Sequence, residues 1–366
     1  MPAVVPGVGD GLEPASALFP PMLTSNRLVS RTLFFTLALG LLAAAVVFGV
    51  AIGSVPLPPS SVLAVLVGKL FPWLGVGDFT PTEEAIVWAM RLPRVLVAAL
   101  VGAALAVAGA QMQGLFRNPL ASPDIVGTSA GGALGAVIAI SAGLAAQSPF
   151  YIPLFSFVGS ALALTAVYAL TARAGRAPVT TLLLAGVAIG ALCGAFTALV
   201  VSLAWKRWEV AQEISFWLMG GFDSRTWLHV RLLVPCFLFG LGVALTYAPE
   251  LDVMSLGDED ARALGVETRR ATWVVLLSAA LLTGAAVAVG GIIGFVGLII
   301  PHAVRLLVGP RHRALIPACA LVGAAFLVGA DLLARTINRP EEVRLGIVTA
   351  IIGAPYFLRL LLRPTG

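Results

Sequence analysis

The stretch at residues 249–270, PELDVMSLGDEDARALGVETRR, is a polar interruption between two long apolar runs. Within it, DEDARA predicts a short helix with Asp258 as its N-cap, and the acids that follow suit the positive end of the helix dipole. Gly265 is placed to end this helix in a left-handed turn, and Ala261 and Leu264, three apart, fall on one face. A small apolar face ringed by charge is typical of a helix that docks into a groove on a soluble partner, although a solvated loop would also fit.

The composition on either side of this stretch predicts an integral membrane protein. The 366 residues are 59% hydrophobic and only 11% charged, whereas average soluble domains carry about 25% charged residues. The 39 glycines fit close helix packing in lipid. The three cysteines lie in three different apolar runs, which argues against a disulfide framework. The net charge of +5 is explained by arginines at the ends of membrane spans, so no nucleic-acid partner is implied.

Runs without Asp, Glu, Lys or Arg predict the membrane spans. A span needs about 20 residues, so the two longest runs are each predicted to hold two helices, divided near 148–149 and at the glycine pair 290–291. Eight runs, two of them divided, give about ten transmembrane helices and an all-α fold. The runs are 32–55, 95–116, 125–172, 177–205, 232–249, 271–304, 314–330 and 345–358.

An even number of spans places both termini on one side of the membrane. Lys and Arg are slightly more frequent in the loops of that side, which predicts cytosolic termini and a cytosolic 249–270 stretch. Residues 1–26 are rich in Pro and Gly and are expected to form a flexible cytosolic tail. Residues 27–366 are then expected to form a single polytopic transmembrane domain.

Charged residues at two distant places in the chain fall on the predicted outer side. Arg91 and Arg94, in RLPR, share one helix face and are either interfacial anchors or an electropositive dock for acidic side chains of an outer partner. Asp331 and Arg335 are four apart on a helix and can pair. Arg335, Arg339 and Arg344 are expected at the outer surface, countered by Glu341 and Glu342.

Two further stretches interrupt the helices. FRNPLASPDIVG at 116–127 predicts a tight inner turn, which is either a plain helical hairpin or a constriction at the inner mouth of a path. GGIIGFVGLIIPHAVRLLVG at 290–309 predicts a break at membrane depth, which is tolerated where the backbone is buried in protein or lines a cavity. His302 in this second stretch is interpreted as structural, because no second His lies at metal-ligand spacing.

Several kinds of site are missing from the sequence. No phosphate loop of the form GxxxxGKS or GxxxxGKT occurs, so the chain is not expected to bind ATP that way. No pair of acids lies mid-membrane, as an ion-coupled secondary transporter would usually need, although a faint inverted repeat keeps that class open. No cluster of nucleophile, His and acid indicates catalysis, so neither a catalytic residue nor a metal site is predicted.

In order over most of residues 91–363 the chain carries RLPR, FRNPLASPDIVG, LLLAGVAIG, FWLMGGF, LGDEDARALGV, GFVGLIIPHAVRLLVGPRHR and ADLLAR. This set resembles the permease subunit of a binding-protein-dependent ABC importer of the iron-chelate and cobalamin class. The resemblance implies a type II importer permease fold of about ten helices per subunit. It also implies a homodimer with two ATPase subunits inside and a substrate-binding protein outside. ATP and Mg would be held by the ATPase subunits, and no cofactor by this chain.

The resemblance also assigns roles to residues. The stretch that resembles the helices entering a cleft on each ATPase subunit holds Leu256, Asp258, Glu259, Asp260, Ala261, Arg262, Leu264 and Gly265. Arg91, Arg94 and Arg335 match the arginines that receive acidic residues of the binding protein.

The same resemblance assigns a cytoplasmic gate. The matching positions are Asn118, Leu120, Thr180 and Thr181. The match at the two threonines is looser, because Pro178 and Val179 stand where the family often has small polar residues. The family commonly has Pro where this chain has Arg344, which implies a more basic outer rim here.

The expected function is therefore that of a multi-pass permease of the bacterial inner membrane that imports a bulky iron complex, haem or a ferric siderophore. ATP hydrolysis on partner chains would drive it, so the chain is not expected to be an enzyme. The expected partners are a second copy, two ATPase subunits, an external substrate-binding protein and membrane lipid. The alternatives are a cobalamin importer of the same family and an ion-coupled secondary transporter.

Overall fold

The computed structural model describes residues 24–53, 55–74, 78–173, 179–204, 207–339 and 341–361, and every regular element in these ranges is helical. Most of the predicted tail, 1–23, lies outside the described residues, and residues 24–26 begin the first helix. The helices are α1 (Thr24–Ala51), α2 (Pro59–Leu70), α3 (Pro81–Glu84), α4 (Leu92–Leu115), α5 (Thr128–Ser141), α6 (Tyr151–Arg173), α7 (Val179–Ala204), α8 (Trp208–Leu218), α9 (Trp227–Thr246), α10 (Ala248–Met254), α11 (Asp258–Ala263), α12 (Thr268–Gly290), α13 (Val296–Val308), α14 (His312–Thr336) and α15 (Leu345–Leu361).

The helices reproduce the predicted spans. In the described part of the chain, seven helices are long and apolar enough to cross a membrane: α1, α4 with the turns before it, α6, α7, α9, α12 and α14. Of the four shorter apolar helices in the described ranges, α5, α13 and α15 occupy the other three predicted spans, and α2 lies outside every predicted run. Both predicted divisions are confirmed, because α5 and α6 are separate helices and α12 ends at Gly290.

Helix α4 lies at the centre of the fold. All of its residues from Val101 to Leu115 are buried, as expected of a helix that is apolar on every face. A Cβ atom at Gly102 would lie 2.2 Å from the carbonyl oxygen of Gly323 on α14, so only glycine permits this approach of the two helices. Close backbone contact of this kind drives helix association in lipid, where apolar surface alone gives little preference.

The predicted break between α12 and α13 is present, with Gly291 and Ile293 buried and residues 292, 294 and 295 half-buried. Gly291 and Phe295 have φ angles of +71° and +69°, and α13 begins directly afterwards. The Gly221 N–H donates to the Gly290 carbonyl oxygen at 2.9 Å. Neighbouring backbone therefore satisfies a polar group that lipid could not.

The polar stretch forms two short helices, α10 and α11. The predicted helix start is off by one residue: Gly257 is the N-cap, with φ +130°, and Asp258 is the first helical residue. The predicted end is confirmed, because Gly265 has φ +85° and its N–H donates to the Arg262 carbonyl at 3.0 Å. The Val266 N–H donates to the Ala261 carbonyl at 2.9 Å, which completes a Schellman motif.

Candidate functional site

One candidate surface is the exposed side of α11 and its flanks. Leu256 and Leu264 are 63% and 64% exposed, and the acids at 258–260 and Arg262 are exposed around them. Ala261 belongs to the buried core, so the expectation that it shares an exposed face with Leu264 is wrong. Leu264 is the C-cap residue directly after α11, and its side chain stays 64% exposed. Two leucines ringed by charge are the apolar surface that this segment offers to a partner.

The predicted inner gate turn is joined to α11. Asn118 shapes the turn, since its Oδ1 accepts the Leu120 N–H at 2.9 Å. Arg117 lies in the left-handed region at φ +50°, and its Nη2 lies 3.5 Å from Asp258 Oδ1. Both side chains of this pair are exposed, so it contributes only about 0–1 kcal/mol.

The second predicted gate region is only partly described. The side chain of Thr180 lies outside the described residues, and Thr181 is half-buried in the first turn of α7. Helix α7 approaches the end of the inner-turn segment further along, where a Cβ at Gly127 would lie 3.0 Å from the Gly186 carbonyl oxygen. The gate assignment of both threonines therefore stays a prediction.

The second candidate surface is the arginine end of the molecule, where α1 finishes. Arg91 donates to the carbonyl oxygens of Val50 at 3.1 Å and Ala51 at 2.9 Å, and Arg335 donates to that of Gly49 at 3.0 Å. Both arginines thus bind carbonyls in the last turn of α1, where a positive charge also suits the helix dipole. Arg91 is 6% and Arg335 4% exposed, so the expectation of exposed guanidinium groups is wrong for both.

Arg94 is enclosed by acids from three parts of the chain. Its Nη2 lies 2.8 Å from Asp331 Oδ1 and 2.8 Å from Glu342 Oε2, and its Nη1 lies 3.4 Å from Asp223 Oδ1. The predicted pair of Asp331 and Arg335 is confirmed at 3.1 Å. Asp223 was not among the residues predicted for this site, because nothing in the local sequence FDSR indicates which distant cation it meets.

Arg344 has a different partner from the one expected. Its guanidinium pairs with Asp223 instead of the adjacent glutamates. The same group lies 3.9 Å from the centre of the Phe216 ring, in a cation–π contact. Arg344 therefore ties the segment before α15 to the loop after α8.

The three predicted docking arginines converge on one cavity of about 370 Å³. A fourth, Arg225, also lines it, and the lining side chains include a single acid, Glu342. Burial lowers the pKa of the Arg225 guanidinium to about 10, against the opposing effect of Asp223. We call Arg91, Arg94, Arg225 and Arg335 the arginine cluster; it makes this cavity electropositive.

Comparison with known proteins identifies the fold and its class. The model of the FecCD transport family matches residues 41–363. The chain belongs to this family. A cobalamin import system permease from Halobacterium salinarum is 46% identical over 280 residues, which cover 76% of this chain and 74% of the relative. A hemin transport system permease from Yersinia pestis is 43% identical over 300 residues, covering 78% and 86%.

A solved structure supports the same conclusion. A metal-chelate type ABC transporter in an inward-facing conformation superposes with a TM-score of 0.78 and 32% identity, covering 90% of this chain and 98% of that chain. The fold is therefore that of a type II ABC importer permease, and this FecCD protein is a multi-pass permease subunit of an ABC importer. An ion-coupled secondary transporter, left open by the sequence, is no longer needed as an alternative.

Two neighbouring acids at the arginine end of this FecCD permease have pKa values that are shifted in opposite directions. Burial alone would raise the pKa of the Asp223 carboxyl, but a hydrogen bond with Glu342 and the charges of Arg94 and Arg344 outweigh burial and lower it. Burial and the hydrogen bond to Asp223 raise the pKa of Glu342. Asp223 therefore ionises more readily than an ordinary aspartate, and Glu342 less readily than an ordinary glutamate.

His302 lies in α13, where its ring meets that of Tyr356 edge to face at 6.4 Å between centroids. Within the described ranges, no group of three or more His, Cys, Asp and Glu side chains is arranged to hold a metal ion. The interpretation of His302 as a structural residue stays a prediction.

Proposed function

We propose that this permease imports a bulky iron complex, haem or a ferric siderophore, across the bacterial inner membrane with energy from ATP. The observation that carries the proposal is the presence of two dissimilar surfaces linked by α14. One is the exposed leucine pair ringed by charge, and the other is the electropositive cavity. The Yersinia pestis relative, named for hemin transport, supports the iron complex.

Cobalamin is the second candidate cargo. It is favoured by the Halobacterium salinarum relative, which is named for cobalamin import and is 46% identical. Both candidates are large, so they require a wide path and make similar demands on the fold. Proteoliposomes that hold the whole complex should take up labelled haem, ferric siderophore or cobalamin only when ATP is present on the side of the membrane that carries the ATPase subunits. Uptake of none of the three would refute the proposal, and uptake of cobalamin alone would select the second candidate.

The proposed assembly is a homodimer of this chain in membrane lipid, with two ATPase subunits at α11 and a substrate-binding protein at the arginine cluster. Both termini would be cytosolic. ATP and Mg would be bound by the ATPase subunits, so this chain would need no cofactor of its own. Support comes from the charged rim around Leu264, which suits a soluble partner better than lipid.

The binding protein is proposed to place acidic side chains at the mouth of the cavity lined by the arginine cluster. Salt screens the attraction between charges over about 10 Å at 0.1 M, and less where the charges are buried, as Arg91 and Arg335 are. We therefore expect the affinity of the binding protein to fall several-fold between about 50 and 500 mM salt, as the acids approach the mouth of the cavity through water. Titration of binding protein onto the purified complex measures this effect. Lys69→Gln is the control and should bind with the wild-type dependence on salt. Lys69 pairs with Glu84 at 2.5 Å and does not line the cavity. If the affinity for the binding protein did not change with salt, the arginine cluster would be ruled out as its docking site.

The gate hypothesis predicts that Thr181→Trp blocks transport while ATP hydrolysis continues. The added bulk would lie at the start of α7, in the path and away from α11. A tryptophan at Leu238, which is exposed on α9, is the matched control and should transport normally. Uptake and ATPase rates are measured on the same proteoliposomes. Unchanged uptake in the Thr181 variant would show that this turn does not line the path.

A further inference from the structure

Helix α14 begins at a carboxylate supplied by another helix. Asp252, on α10, accepts the backbone N–H of His312 at 2.8 Å and lies 2.7 Å from the His312 Nδ1, both through its Oδ1. The residue in the N-cap position of α14 itself, Arg311, makes no capping bond with its side chain. A carboxylate at this place satisfies an otherwise free amide and suits the positive end of the helix dipole. Asp252 thus acts as the N-cap of α14 from outside the helix.

The histidine of this pair is held on its other side as well. His312 is only 2% exposed, and its ring packs against the end of α4 so closely that a Cβ at Gly114 would lie 2.3 Å from the Nε2. The ring therefore has no room to swing away from Asp252. Burial opposes ionisation of the Asp252 carboxyl, but the two hydrogen bonds from His312 outweigh it and lower the pKa.

Helix α10, which carries Asp252, is packed into the core and lies close to α11 in the chain. Leu251 and Met254, on either side of Asp252 in the chain, are buried in the core. Only Ser255, Leu256 and Gly257 separate α10 from α11. A displacement of α11 by a partner would therefore act directly on Asp252.

Helix α14 runs from the pair of Asp252 and His312 to the arginine cluster. From His312 to Asp331 it rises about 28 Å at 1.5 Å per residue, and Asp331 there binds Arg94 and Arg335. Along the way it packs against α4 through the close contact of Gly323 with Gly102. Because close-packed interiors transmit strain, a shift of α14 at this contact is passed to α4.

We propose that Asp252 and His312 form the joint through which movement of α11 is passed to α14 and on to the arginine cluster. The proposal rests on the proposed function, since it takes α11 as the ATPase contact and the arginine cluster as the binding-protein end. Both are positioning residues: His312 is buried, and Asp252 binds it through its Oδ1. Through this joint, the α11 surface and the arginine cluster are expected to move together.

The first test examines the joint in the permease alone. Asp252→Ala should speed hydrogen exchange at the first-turn amides of α14 between about twofold and thirtyfold, as loss of a helix cap does. Asp252→Asn keeps an oxygen that accepts the same two donors and should exchange like the wild type. Glu267→Ala is the matched control, since Glu267 is an exposed acid in the N-cap position of α12 that makes no capping bond. Unchanged exchange in Asp252→Ala would overturn the joint.

The second test examines coupling in the full complex. The ratio of ATPase rates with and without binding protein should fall about twofold to thirtyfold in Asp252→Ala, while Asp252→Asn and Glu267→Ala keep the wild-type ratio. ATPase subunits should still co-purify with every variant, because Leu256 and Leu264 are intact. A wild-type ratio in Asp252→Ala would overturn the inference. Failure of the proposed function would instead show in the wild type, as a complex that binding protein does not stimulate.

Discussion

Replacing Leu264 with Asp is expected to strip the ATPase subunits from the purified permease while leaving its fold intact. Leu264 is 64% exposed and follows α11, so a carboxylate there stays in water in the free permease. In the docked state the same carboxylate would be buried against an apolar groove without a partner, which costs roughly 1–3 kcal/mol or more. That cost corresponds to about fivefold to over a hundredfold weaker binding. Co-purification and uptake measure it.

The neighbouring Ala261 shows why the position matters. Ala261 is fully buried, so Ala261→Asp should prevent correct folding of the α10–α11 segment, a different failure from loss of docking. Leu264→Met is the matched control, because it keeps an apolar side chain of similar volume and should retain the ATPase subunits. Normal ATPase co-purification in Leu264→Asp would rule out this leucine as a docking residue.

Replacing Arg94 with Leu is expected to lower the free energy of unfolding by about 3–5 kcal/mol. The change removes the cation that Asp331, Glu342 and Asp223 share, and Asp331, which is only 1% exposed, keeps Arg335 alone at 3.1 Å. A buried acid that has lost a charge partner strongly destabilises the fold, whereas an intact buried ion pair has little net effect on the free energy of unfolding. Unfolding of the purified permease in detergent, followed by heat or denaturant, measures the loss.

Arg344→Leu is the matched control for Arg94→Leu. It also removes one arginine from Asp223, but the side chains of that pair are 24% and 41% exposed. Water can compensate the acid there, so the expected loss is within about 1 kcal/mol. Arg94→Lys should fall between the two, because it keeps the charge but not the forked geometry that reaches two carboxylates. Equal losses for Arg94→Leu and Arg344→Leu would show that the enclosure of Arg94 adds nothing.

The sequence was sufficient for the membrane class and for the places of the apolar spans, but not for the helices α2, α3 and α8, which lie outside the predicted runs. Charge-free runs predict spans because a charged side chain within hydrocarbon is costly. Gly265 and Gly290 predict helix ends because a left-handed or broken backbone is a local property that glycine permits. The family resemblance rests on the same short stretches, and the match over residues 41–363 confirms it.

The tertiary structure alone decided which side chains meet. Arg94 binds Asp331 and Glu342, and Asp252 caps a helix that begins 60 residues later in the chain. It also decided that Ala261 is buried and Leu264 exposed, and that Arg91 and Arg335 hold the end of α1. Helical periodicity places a residue on a face of its own helix, but it carries no information about which distant helix covers that face. That is set by packing among helices, through close approaches such as Gly102 to Gly323.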